Sequence, residues 1–166
     1  MAKKQASKKC KFNLWYCATA LLALVAIVMA FTTCVKLNGV LTGTTDYTGL
    51  QATFGYTDKY DNQMFAFSFV NLITYLLLLA GFVLVLLKAF GTTKSKTVDY
   101  VVIALFLVAA ILFFLMPTLA VSPYADNANK ILAGSVTRGL GVGAILSAIL
   151  LLCSAFTLLV KTLLKK

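Results

Sequence analysis

The sequence predicts an all-α integral membrane protein, a four-transmembrane-helix bundle with a small β-stranded extracellular lid between helices 1 and 2. Three observations carry that prediction. Of the 166 residues, 61% are hydrophobic and 12% are charged, against about 45–50% and about 25% in an average soluble domain. The apolar residues gather into four runs, 14–35, 64–87, 100–120 and 140–160, none of which contains Asp, Glu, Lys or Arg. Each run is about 21–24 residues long, and a hydrocarbon core of about 30 Å takes about 20 residues of helix to cross.

The third observation is where the charges fall. Lys3, Lys4, Lys8, Lys9 and Lys11 precede the first run, Lys88, Lys94 and Lys96 lie between the second and third, and Lys161, Lys165 and Lys166 follow the fourth. With Asp99 as the only acid among them, these eleven bases put the whole formal charge of +10 on one side. On the other side Lys36, Lys59, Lys130 and Arg138 balance Asp46, Asp58, Asp61 and Asp126. Short loops rich in Lys and Arg stay cytoplasmic, so both termini are expected inside a multi-pass protein of the cell membrane. The basic face then meets anionic headgroups, at about 1 kcal/mol per basic residue near the surface. Topology accounts for the charge, and no nucleic-acid partner is expected.

Taken in order, residues 1–13 form a lysine-rich tail. Val28 and Ala30 have the small-residue spacing of a signal cleavage site, but the first run exceeds the 7–15 residues of a signal peptide's apolar region. An uncleaved first span is expected. Trp15 and Tyr16, with Tyr100 at matching depth, form an inner aromatic belt.

The outer loop 36–63 is long for a helix–helix link, which usually takes about 2–8 residues. Within it "LQATFGYT" alternates Leu50, Ala52, Phe54 and Tyr56 with polar or small residues, the pattern of a half-buried strand. "VKLNGVLTG" reads as a weaker strand, with a tight turn at Asn38-Gly39. The loop is therefore expected to fold over the outer helix ends. The second span carries Asn71 and Thr74 about one turn apart, an intramembrane polar site whose default role is to join helices.

The inner loop 88–99 should end the second helix at Gly91 and cap the third with Thr97. Asp99 then complements the helix dipole and offsets Lys94 and Lys96. In the outer loop 121–139, Ser122-Pro123 is a helix-start signal. It leaves open a short surface helix over 123–130 or a fourth helix starting near Ala128. Arg138 lands at the outer boundary, where a buried guanidinium needs an acceptor. Its expected partners are Asp46, Asp58, Asp61, Asp126 or carbonyls of the lid. In the fourth span Gly139, Gly143 and Ser147 recur every four residues, a small-residue face that lets two helices approach closely.

Chemistry has few places to live. There is no histidine, no run of the phosphate-cradling kind and no carboxylate inside any span. Cys10, Cys17, Cys34 and Cys153 include no CxxC pair. Only Cys34 lies near the outer face, so no disulfide is expected, and the four act as small apolar fillers; Cys10 and Cys17 also sit where palmitoylation occurs. No enzyme activity, cofactor or metal is expected.

The plan of four spans with both ends inside resembles that of claudins in topology. The loop lacks the Trp-rich stretch and the two cysteines of that family, so none of its residues carries over. The segment "TGLQATFGYTDKYDNQMFAFSFVNLITYLLLLAGFVLVLL", about a quarter of the chain, resembles small uncharacterised four-span membrane proteins of Gram-positive bacteria, which implies no activity. The expected role is an accessory or interaction subunit of a membrane assembly, partnered by other subunits or by its own copies. The alternative is a small uncoupled channel or carrier for a neutral or lipophilic substrate.

Overall fold

A computed structural model describes residues 14–40, 43–93, 95–131 and 134–164. The molecule is mostly helical, with a small sheet at one end. Along the chain run α1 (Leu14–Ala30), β1 (Thr33–Gly39), β2 (Gly43–Thr48), α2 (Gly49–Phe54), β3 (Tyr56–Thr57), β4 (Gln63–Phe65), α3 (Phe69–Ala89), α4 (Lys96–Leu119), α5 (Pro123–Ile131), β5 (Val136–Leu140) and α6 (Val142–Leu164). Among the described residues, α3, α4 and α6 are long and apolar enough to cross a membrane. At 17 residues α1 is shorter, about 25 Å at 1.5 Å per residue.

The long helices pack in a cycle: α1 lies against α6 and α3, and α4 against the same two. The seam between α1 and α6 is built from small side chains. Ala20, Ala23, Ala26 and Ala30 of α1 and Ala144, Ala148 and Ser147 of α6 are buried, while Leu21, Leu24 and Val28 of α1 stand outward. Small residues at a seam let helix backbones approach closely, while Leu78, Phe106, Phe113 and Leu151 fill the interior beside it.

At the other end the chain builds an antiparallel sheet in the order β2-β1-β5. The strand expected in 35–43 is β1, but its partner is β2 and not the "LQATFGYT" segment. Asn38 and Gly39 do not form the turn, since they face Thr44 and Gly43 across the ladder. Most of "LQATFGYT" is helical instead. Thr48 opens α2 with a capping box: its hydroxyl accepts from the Gln51 backbone N–H, and the Gln51 side chain accepts from the Thr48 N–H. Two otherwise orphaned donors are satisfied reciprocally, which stabilises a helix start. Gly49, Ala52 and Thr53 then fall on one buried face at helical spacing. Helical period beats the alternation because the cap fixes the first turn.

Apolar runs also overshoot the helices. The first run includes Cys34 and Val35, buried in β1, and the second includes Met64 and Phe65, buried in β4. The second long helix begins at Phe69, capped by Ser68, whose hydroxyl accepts from the Asn71 N–H. It ends as Gly91 suggests. Gly91 takes φ +72, Thr92 donates to Leu87 O and Gly91 to Lys88 O, the paired pattern of a glycine-terminated helix. Lys96 and Lys161, expected outside the spans, lie within α4 and α6. Lys94 lies outside the described residues. Ser122 starts α5 by accepting from the Ala125 N–H.

Candidate functional site

Two clusters of polar groups stand out, one at each end of the helices. At the end remote from the sheet, each long helix contributes one side chain to a buried clasp. Tyr16 comes from the first turn of α1, Lys88 from the last turn of α3, Asp99 from the first turn of α4 and Lys161 from the last turn of α6. Asp99 sits at the centre. The Tyr16 hydroxyl lies 2.9 and 3.0 Å from its two oxygens. Lys88 Nζ approaches Oδ1 at 3.0 Å and Lys161 Nζ approaches Oδ2 at 3.2 Å. Lys88 also donates to the Ser95 carbonyl, and the Lys161 ammonium lies 3.4 Å from the centroid of the Tyr16 ring.

Little of this clasp meets solvent, the three charged side chains being 3%, 6% and 4% exposed for Lys88, Asp99 and Lys161. Among the described residues, two ammonium groups share this one carboxylate. The Ser95 carbonyl and the face of the Tyr16 ring, whose quadrupole attracts cations, are further partners of the two ammonium groups. Asp99 therefore turns inward to Lys88 and Lys161 and does not serve merely to offset loop lysines.

The second cluster is a groove of about 620 Å³ at the sheet end, walled by β1 and β2, the β3–β4 hairpin and α5. Tyr47, Tyr56, Tyr60 and Tyr124 line it, together with Asp46 and Asp58. Tyr47 forms its floor, packed edge-on to Phe65 at 5.0 Å and tilted against Tyr56 at 5.8 Å. Burial first, and then the neighbouring Tyr56, Asp58 and Tyr124, push the Tyr47 phenol up; the Thr45 hydroxyl acts in the opposite sense.

Asp58 builds the rim. Its Oδ1 accepts from the Tyr60 and Asn62 N–H groups at 2.8 and 3.0 Å, and its Oδ2 from the Asn62 side chain at 3.2 Å. What desolvation it has would raise the carboxyl, but the backbone donors of Asn62 and Tyr60 outweigh it and hold the group below the usual carboxylate range. A depressed folded value means a contribution that is complete above about 3.9, the ordinary aspartate value, and is lost as pH falls through the lower folded one. Protection of the Tyr60 and Asn62 amides, measured by hydrogen exchange and corrected for intrinsic rates, is therefore expected to fall below about pH 4. Unchanged protection down to pH 2 would contradict it.

Among the residues singled out in the sequence, Arg138 finds an acid. From β5 it donates to the Ala120 carbonyl at 2.9 Å, to Ser122 O at 3.5 Å and to Asp126 of α5. The guanidinium thus joins the end of α4, α5 and the sheet. The other three acids are engaged elsewhere or stand apart: Asp46 faces Lys36 across the ladder at 3.7 Å, Asp58 closes its own turn, and Asp61 holds that turn at φ +60. Arg138→Lys keeps the charge but loses the planar fork. It is expected to cost about 1.5–3 kcal/mol, the range for hydrogen bonds to charged groups, seen as a lower midpoint in denaturant.

Asn71 and Thr74 do not make a shared site. Asn71 Nδ2 donates to Ala52 O at 3.2 Å, joining α3 to α2, and Thr74 donates to Val70 O one turn back in its own helix. The small-residue face is also divided. Gly139 is in β5, paired with Lys36 and not on the helix, because α6 begins only at Val142. Gly143 and Ser147 do share a face, and it meets α1: Ser147 donates to Ala26 O at 3.0 Å.

Sequence reasoning missed the clasp by treating Lys88 and Lys161 as loop charges. No family model, curated protein or solved structure matches the chain.

Proposed function

We propose that the chain is a small non-enzymatic membrane protein that serves as an accessory or interaction subunit of a larger membrane assembly. In this reading α1, α3, α4 and α6 cross the bilayer as a four-helix bundle, the lysine-rich end and both termini face the cytoplasm, and the sheet end is an outer lid. The observation that carries it is the sheet itself. β1 and β2 from one connection and β5 from another join in one ladder and wall a tyrosine-lined groove, which in this reading is the contact surface. Tyrosine is enriched where proteins recognise partners.

A polar path through the helices has less support. Thr74 and Ser154 bond to carbonyls in their own helices, and Ser147 to α1. Charge placement supports the orientation, since Lys88, Lys96 and Lys161 gather at one end.

The test is extraction from native membranes in mild detergent, with the mass and composition of the particle read by mass spectrometry. A stoichiometric foreign subunit, lost when the groove rim is substituted, is the expected result. A particle holding only copies of this chain would overturn the reading in favour of an oligomeric carrier.

A further inference from the structure

We propose that the groove at the sheet end is a binding site for a small organic cation of the alkylammonium class. The proposal concerns the groove's own chemistry and does not depend on whether the protein is an accessory subunit.

Volume comes first. About 620 Å³ lies within the range of about 300–1,000 Å³ typical of small-ligand sites. The lining then selects the chemistry. Four phenol rings from β2, β3, the turn before β4 and α5 surround one space, and the face of a tyrosine ring attracts a cation within about 6 Å of its centroid. Tyr47, Tyr56 and Tyr124 also bring phenol oxygens, which offer lone pairs to an ammonium N–H. Burial first, and then Tyr56, Asp58 and Tyr124, push the Tyr47 phenol up, as their convergence on it requires.

Asp58 adds the charge. Three donors fix its carboxylate at the rim and keep it ionised, with the neighbouring Lys59 ammonium acting in the same sense. Asp46 contributes less, because Lys36 stands 3.7 Å from it. The protein supplies its own precedent: the Lys59 ammonium lies 5.0 Å from the centroid of the Tyr60 ring. Lys59 is exposed, so an incoming cation displaces a surface side chain and not a buried one. An anion would meet the Asp46 and Asp58 carboxylates as well as the Lys59 ammonium.

The chemistry has two sources, a free amine or the headgroup of a choline or ethanolamine lipid. The probes are tetramethylammonium and choline, titrated by calorimetry into the full-length protein in neutral maltoside micelles, with 3,3-dimethyl-1-butanol as the uncharged isostere of choline. Saturable binding of both cations and not of the alcohol is expected. Tyr56→Leu should weaken it about tenfold, within the range of one cation–aromatic contact, and Asp58→Asn, which removes the facing negative charge, should weaken it as well. Tyr124→Leu provides a second ring variant if Tyr56→Leu fails to fold, as judged by circular dichroism. Lys59→Met should tighten binding by removing the competing ammonium.

No saturable binding, equal binding of the neutral isostere, or full affinity in folded Tyr56→Leu, Tyr124→Leu and Asp58→Asn variants would overturn the proposal. Repeating the titration in phosphatidylcholine nanodiscs separates the sources. Weakened tetramethylammonium binding there assigns the site to lipid headgroups, and unchanged binding assigns it to a free amine.

Discussion

Asp99→Ala is expected to be among the most damaging single substitutions in the protein, lowering stability by about 3–5 kcal/mol. The reason is what it leaves behind. Lys88 and Lys161 would remain 3% and 4% exposed with their shared counter-charge gone, and Tyr16 would lose both oxygens its hydroxyl contacts. Taking charges out of water costs several kcal/mol per ion, and the Asp99 carboxylate is the group that both ammonium ions face. Lys88→Met should cost less, because it leaves Asp99 facing Lys161 at 3.2 Å and strands no buried charge. The quadruple variant Tyr16→Phe, Lys88→Met, Asp99→Leu, Lys161→Met should recover much of the loss, since apolar replacement of a whole buried ionic group is often neutral or stabilising.

Thermal unfolding in detergent provides the reading. For a chain of this length about 2–4 °C accompanies each kcal/mol, so Asp99→Ala should fall by roughly 6–20 °C. Equal midpoints for Asp99→Ala and Lys88→Met would mean that the charges are not buried as described. A quadruple variant that folds and still holds its partner in pull-down would confine the clasp to stability.

The same cluster shows what a sequence discloses and what it hides. Charge-free runs long enough to cross a bilayer disclose α3, α4 and α6 almost whole, because hydropathy is a property of composition. Their ends are hidden because Cys34, Val35, Met64 and Phe65 are as apolar as any helix turn, yet are buried under the sheet by β1 and β4. β5 was concealed in the same way, its Gly139 and Leu140 reading as the start of a helix. α2 carried a visible signal in Thr48 and Gln51, the spacing of a capping box, which the alternation of neighbouring apolar residues masked. The clasp was legible in principle. Helices that alternate in direction bring the start of α1, the end of α3, the start of α4 and the end of α6 to one level, so Tyr16, Lys88, Asp99 and Lys161 share a depth. What the sequence lacks is rotation about each helix axis, which decides whether those side chains face one another or the surroundings. The groove is less legible still, since it depends on strands from separate connections meeting.

Gly143→Leu is expected to prevent the protein from folding, and Gly143→Ala alone to destabilise it by about 1–3 kcal/mol. A methyl group at Gly143 would stand 2.6 Å from Met29 O and 2.8 Å from Thr33 O, and against the Thr32 hydroxyl. Two of those neighbours are backbone carbonyls where α1 hands over to β1, and they cannot rotate aside. To make room α6 must move away from α1, stretching the 3.0 Å bond from Ser147 to Ala26 O and opening the alanine-lined seam beside it. Helix propensity works the other way, favouring alanine over glycine by up to about 1 kcal/mol, but Gly143 lies in the first turn of α6, where less of that gain is realised. Steric cost therefore wins. Ser147→Ala provides the scale, since it removes one interhelical hydrogen bond worth about 0.6 kcal/mol in such settings and adds no bulk. The order of loss should be Gly143→Leu, then Gly143→Ala, then Ser147→Ala, read from thermal midpoints and from the monodisperse fraction on size exclusion. If Gly143→Leu instead keeps the parental midpoint and only lowers the mass of the particle, Gly143 faces a second copy of the chain, and the α1–α6 contact described here is not the one it serves.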